Sequence, residues 1–272
     1  MSMRTPTYIL ISKRFNAYDK TIRDIWEVYH FHHYYLPILH RQITQGVTPP
    51  LLMPRFPNLK DKQKTVNDTL GVISHITTQF SPQRGLVVAV SQSEVFLQYL
   101  VTQVMTDYPG RLASGGQIEQ NSREIRLLDI ILNSADKAEI IDKVIEERVR
   151  SLFYGQPTDF FLKDKAKLGF SDYFKKNYAT TVEDYAEIVA RRNLLIHNDG
   201  RVDRKYLREV PGTSLRLGQK IIVDQEYLRR ALFTLHGLSA TAGVFISENV
   251  YSNIIPPSNT MLRRHKHFTA SL

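Results

Sequence analysis

The chain has 272 residues, 42% of them hydrophobic and 23% charged, which is the balance of a soluble globular protein able to bury a sizeable core. It contains no cysteine, which excludes a disulfide framework and any thiolate metal site and agrees with a reducing compartment. With 36 Lys+Arg against 27 Asp+Glu the formal net charge is +9, which suits a nucleic-acid backbone as partner, although a solvated basic surface accounts for the same excess. No apolar run approaches the ~18 residues of a membrane span. The start, Met1-Ser2-Met3-Arg4-Thr5-Pro6, has no charged and apolar signal regions, so a cytoplasmic protein without a membrane partner is expected.

Helical periodicity dominates from the beginning. Ala17 to Leu39 carries Tyr18, Ile22, Ile25, Trp26, Tyr29 and His33 at steps of three and four, and Pro37 is expected to break or kink the helix near its end. His30, His32, His33 and the nearby His40 invite a metal reading, and His30 and His33 share a helix face. No acidic residue or cysteine completes a ligand set, so aromatic packing is preferred and neither a metal nor another cofactor is expected. Tyr8, Phe15, Tyr29, Phe31, Tyr34 and Tyr35 offer faces for RNA bases, or serve core and interface packing.

The proline-rich stretch Val47 to Pro57 reads as a connector. Val66 to Phe80 predicts a helix stopped before Pro82, and Gly85 to Tyr108 a buried helix ended by Pro109-Gly110. Leu127 to Leu132 starts a further helix, and Lys137 to Leu152 is amphipathic. Phe160 to Tyr178 is aromatic and basic; its Lys163, Lys165, Lys167, Lys175 and Lys176 form either a guide for an RNA backbone or a solvated face. After a helix at Val182–His197, Leu215 to Val223 allows a short strand or hairpin. Gln225 to Ile246 returns to helical spacing with Asp224 as its cap. The residues from Pro256 on read as a loose tail. There is no internal repeat, Gly-rich phosphate loop, H-E-x-x-H or G-x-S-x-G.

One stretch stands apart: Ala190-Arg191-Arg192-Asn193-Leu194-Leu195-Ile196-His197-Asn198-Asp199-Gly200. At about 100° per residue, Tyr185, Ile188, Val189, Leu195 and Ile196 form an apolar stripe with Arg192 inside it. Such an arginine meets a carboxylate, opens into a cleft, or awaits an anionic ligand. Asn193 and His197, four residues apart, share one edge of the stripe. Asn198-Asp199-Gly200 supplies the stop, which puts His197 in the last turn, where the negative end of the helix dipole suits it to proton transfer near neutral pH.

Arg192-Asn193-x-x-x-His197 resembles the Arg-polar-x-x-x-His signature of the HEPN superfamily, whose members include metal-independent endoribonucleases of toxin–antitoxin, abortive-infection and CRISPR systems. Glu187 to Asn193, His197 to Val202 and Lys205-Tyr206-Leu207 extend the likeness, which runs from about Gly85 to Val250. The resemblance implies an all-α, HEPN-like bundle of four to five helices at 85–250, with an N-terminal helical extension at 1–84 and a basic C-terminal tail at 251–272. It also implies a homodimer that brings two motif copies across one cleft, the helix 182–197 lying at or beside the two-fold axis.

In that reading His197 transfers a proton, Arg192 binds the phosphorane-like transition state and Asn193 positions either, giving a 2′,3′-cyclic phosphate and a 5′-hydroxyl. Arg191, Lys175 and Lys176 would contact RNA, and an antitoxin or regulatory protein would be a further partner. With Arg192 unpaired in the absence of substrate, Arg192→Ala and His197→Ala would both still fold. The bland reading pairs Arg192 with Glu187, Asp184 or Glu94 and bonds His197 to the final carbonyls of its helix. Alternatives of another class are a non-catalytic HEPN-fold module that binds RNA or scaffolds a protein, and an unrelated helical or DNA-binding protein carrying the motif by chance.

Overall fold

Two prolines that mark helix ends in the sequence lie within helical runs. The computed structural model describes residues 6–54, 61–113, 136–153 and 156–272, in which the chain is all-α apart from one two-residue ladder. The helices are α1 (Thr7–Thr44), α2 (Val66–His75), α3 (Ser81–Asp107), α4 (Gly110–Ala113), α5 (Lys137–Phe153), α6 (Asp159–Leu162), α7 (Tyr173–His197), α8 (Arg204–Glu209), α9 (Gln225–Phe245) and α10 (Thr260–Ala270). The helix expected from Leu127 to Leu132 lies outside the described residues. In the connector, β1 (Leu52–Met53) pairs antiparallel with β2 (Lys62–Gln63).

Pro37 does not break α1, which runs on to Thr44; it sits on the exposed side of the helix, where water can satisfy the carbonyl its ring leaves free. Pro82 is accommodated differently. The chain widens into a π-helical turn at Ile76–Phe80, where the Ser81 amide bonds back to Ile76, and α2 runs on into α3. The rod Val66–Asp107 is thereby long and apolar enough to cross a membrane by composition, but half of its apolar window is buried inside the protein, as a core helix would be.

The core forms where α3 meets α1, α5, α7 and α9. Close approach rests on small residues. In α9 the run Gly237 to Gly243 is wholly buried, with Ser239 facing Ser93 of α3 at 3.1 Å and Gly237 lying against the Phe268 ring of α10 so closely that a Cβ would overlap it. Around this contact Phe15 stacks on His236 at 5.4 Å and Tyr18 on Phe96 at 5.6 Å. One hydrophobic cluster joins α1 and α10 to the central helices, so packing does not divide at 84/85 or at 250/251.

The loose tail expected from Pro256 is instead α10. Asn259 caps it by accepting the Leu262 amide and donates to Ser12, while Met261, Leu262 and Phe268 are buried. The run Arg263-Arg264-His265-Lys266-His267 obscures these apolar positions in the sequence. Arg264 is spent on buried Asp19, whose carboxylate accepts from Arg264 Nε at 2.9 Å and Arg23 Nε at 3.1 Å. His236 Nε2 stands 3.0 Å away, an ion-pair distance without hydrogen-bond alignment. The segment 215–223 forms no named strand; a single bridge joins Arg201 and Lys220. The Asp224 cap is present, accepting the Tyr227 amide at 2.8 Å.

Two outcomes follow from this packing. Phe268→Ala should cost about 3–5 kcal/mol in urea unfolding, where a loose tail would give no change. Burial alone would raise the Asp19 carboxyl, but His236 and Arg264 outweigh it and hold Asp19 well below the usual carboxylate range. Its folded value thus lies below the unfolded ~3.9, so it stabilises above that pH and its contribution is lost as pH falls. Asp19→Asn should cost about 3 kcal/mol at pH 7 and flatten the acid limb of the melting profile.

Candidate functional site

The motif occupies the last turns of α7, the long helix that reads on from the aromatic segment through a kink at Tyr178 (φ −141°, ψ 24°). Its core face is Tyr185, Ile188, Val189, Ala190 and Leu194; Ile196, assigned to the stripe by periodicity, is 47% exposed. The helix stops where the sequence places the stop. Asp199 (φ 48°) and Gly200 (φ 69°) both turn left-handed, and the Asn198 and Gly200 amides each bond Leu194 O at 2.9 Å. A Cβ on Gly200 would sit tightly against Leu195, and the left-handed backbone itself favours glycine there.

Beyond the turn, backbone bonds from Val202 to Gln219 (2.9 Å) and from Ile221 to Gly200 (2.8 Å) fasten the chain against the 215–223 segment. Asp203 then caps α8 through the Tyr206 amide. Ala190, Leu194, Val202, Tyr206 and Ile221 make a second small core beneath the turn.

Arg192, Asn193 and His197 all line one groove of about 990 Å³, walled by α1, α3, α5, α7 and α8. They differ in surroundings. The Arg192 side chain is only 15% exposed and its Nη2 donates to Glu94 of α3, while its Nε is buried without a partner among the described residues. Of Glu187, Asp184 and Glu94, the carboxylates within reach of Arg192 on the structural reading of the sequence, it is Glu94 that pairs with it. Burial raises the Glu94 carboxyl above its ordinary range, and the Arg192 charge and hydrogen bond only partly offset that rise. His197 is exposed at the groove edge and makes no hydrogen bond or ion pair among the described residues, not even to the final helix carbonyls.

The tandem arginines point to different jobs. Arg191 is turned away from the groove: Nε donates to Glu187 at 2.7 Å, Nη1 to Ile222 O at 2.9 Å, and the guanidinium lies 4.0 Å over the Tyr227 ring. Tyr206 and Tyr227 add their hydroxyls to the same Glu187 carboxylate at 2.8 and 2.6 Å. Burial, then the Glu187 charge, pushes both tyrosines up, so they remain donors. Arg191 therefore ties α7 to α8 and α9, a structural use away from the groove for a residue expected to contact RNA.

Lys175 and Lys176, also expected to contact RNA, likewise lie away from the groove. They sit at the opposite end of α7, on the far side of the Tyr178 kink from His197, and line no wall of the groove. Lys163 and Lys165 both pair with buried Asp159. The groove's other cations are Arg14, Arg150 and Lys205, none of which the sequence singles out as a site residue. They come from three elements that only the fold brings together; basic residues next to buried apolar ones were the one available signal.

On α1, His30 packs edge-on to Trp26 at 4.3 Å and His33 stacks on Tyr29. Among the described residues no group of three or more His, Asp or Glu is placed to hold a metal ion. Comparison with known proteins finds no matching family model, no matching curated protein and no matching solved structure.

The ion pair overturns the expectation that Arg192→Ala leaves no stranded charge. Without Arg192, Glu94 loses its counter-charge, its folded pKa rises further, and stability falls as pH climbs above the unfolded value near 4.3. Arg192→Ala should lower stability by about 2 kcal/mol at pH 8 and less at pH 5. Adding Glu94→Gln should recover most of the loss in the same pH-dependent melts.

Proposed function

We propose that this protein is an endoribonuclease of the HEPN type whose site is the groove holding Arg192, Asn193 and His197. The observation that carries the reading is the convergence of these three side chains on one cleft, with the cation deep and the histidine free at the edge. RNA supplies its own nucleophile. The 2′-hydroxyl attacks the adjacent phosphorus, the bond to the 5′-oxygen breaks, one proton leaves the 2′-oxygen and one reaches the leaving 5′-oxygen. His197, with no hydrogen bond to hold its ring among the described residues, is available for either transfer. Arg192 matches the charge gathering on the phosphorane oxygens, and Asn193 orients the phosphate or the imidazole.

One histidine serves one transfer at a time. A two-fold dimer with α7 at or beside its axis would supply the second, since each residue then meets its symmetry mate. We assign the protein to a toxin or abortive-infection role with RNA as substrate and an antitoxin or regulatory protein as partner, on the strength of the motif. A second reading, a non-cleaving module that binds RNA or a partner protein, is favoured by the Arg192–Glu94 pair, which already gives the guanidinium a structural use.

RNA incubated with the protein in excess chelator decides between them. Products ending in a 2′,3′-cyclic phosphate, with the rate lowered about 10²–10⁴-fold by His197→Ala in a variant that melts like wild type, support the nuclease. A dimer that binds RNA and leaves it intact supports the module.

A further inference from the structure

Arg192 and Lys205 meet carboxylates within the groove, Glu94 and Glu209 respectively, the latter at 3.8 Å. Arg14 and Arg150 do not. Each lines the same groove, each is exposed, and neither makes an ion pair among the described residues, although Glu146 stands one turn before Arg150. Their backbone is held from beneath. Arg14 precedes Phe15, which is fully buried against His236, and Arg150 follows buried Val149 on α5. Arg14 rests over the face of Tyr99, 5.9 Å from the ring centroid, where it holds its place without neutralising its charge. A planar fork left unpaired in the same groove as an arginine already committed to a carboxylate suits phosphate groups neighbouring the one being cleaved.

We infer that Arg14 and Arg150 form a second phosphate-binding subsite of the groove and grip the RNA backbone beside the scissile linkage. The inference rests on the ribonuclease reading and makes α1 part of the substrate site, not an appendage to it. The groove's volume lies at the upper end of the ~300–1,000 Å³ of small-molecule clefts, room for a short stretch of strand with a base on Tyr99 once Arg14 swings to phosphate.

The test measures binding of a labelled, unstructured 2′-O-methyl oligoribonucleotide, which cannot be cleaved, between 0.05 and about 1 M salt. At about 0.7 per phosphate contact on a single strand, Arg14→Gln/Arg150→Gln should lower the slope of log K against log salt by about 1.4, equivalent to about 25-fold in Kd at 0.1 M relative to 1 M. Arg14→Lys/Arg150→Lys should restore most of the slope. Lys175→Gln/Lys176→Gln, with the same loss of charge outside the groove, should keep it. With cleavable RNA the loss from the glutamine pair should fall on KM. A glutamine pair that binds with the wild-type slope, or a lysine-site pair that loses as much, overturns the inference while wild-type cleavage leaves the nuclease reading standing. A wild-type protein that neither binds the oligonucleotide nor cuts RNA sinks both.

Discussion

A guanidinium cannot lie against the floor of an apolar bundle without a counter-charge, and the placement of Glu94 on α3 opposite Arg192 on α7 meets that requirement. The rest of the groove depends on it. Because α3 is the helix that α1, α5, α7 and α9 all pack upon, the carboxylate's position is set by the centre of the core, and the arginine's placement follows from it. The pair is expensive to bury and is only partly shielded, at 15% and 20% side-chain exposure, so it contributes more to where Arg192 points than to net stability.

The neighbouring residue shows how a helix divides labour. Arg191 and Arg192 are adjacent in sequence and therefore about 100° apart around α7. That rotation carries Arg191 to the α8–α9 side, where Glu187, four residues earlier, takes its charge together with two tyrosine hydroxyls. The same carboxylate fixes Tyr206 and so the position of α8, which forms one wall of the groove. Asn198, Asp199 and Gly200 complete the arrangement by turning the chain back beneath the helix end. The motif's flanking residues are thus accounted for by scaffold requirements, while Asn193 and His197 are not.

Local chemistry was the part legible in the sequence. Helix periods, the Asp224 cap and the left-handed stop after His197 depend on residues within a turn or two of each other, and they are found where spacing places them. Convergence of Arg192, Asn193 and His197 on one groove was legible for the same reason, since all three ride one helix. What failed depended on distant partners. Pro37 is tolerated because its side of α1 faces solvent, and Pro82 because a π turn changes the bonding register before it. Likewise α10 looked like a tail because its charges outnumber its apolar residues; only the proximity of Asp19 and Gly237 gives Arg264 and Phe268 their purpose. Glu94 was one of three carboxylates that the sequence offered to Arg192, and choosing among them required the crossing of α3 and α7.

Charge, finally, acts on two scales here. The whole chain carries +9, enough to draw a polyanion toward the surface at a rate that salt would weaken. Inside the groove the balance is closer, because Glu94 and Glu209 cancel Arg192 and Lys205 where they stand. Attraction at long range would discriminate poorly among anions, whereas discrimination between them would fall to the few groups whose charge is not already spent locally. Among the described residues of this groove those are Arg14 and Arg150, His197 at a helix end, and the opposing carboxylate of Glu146, and an anion that reaches Arg192 must compete with Glu94, whose burial already raises its carboxyl. On the ribonuclease reading, such a groove would favour a ligand with several linked phosphates over a single free anion, since only the former could engage Arg14 and Arg150 while it contests Glu94 for Arg192.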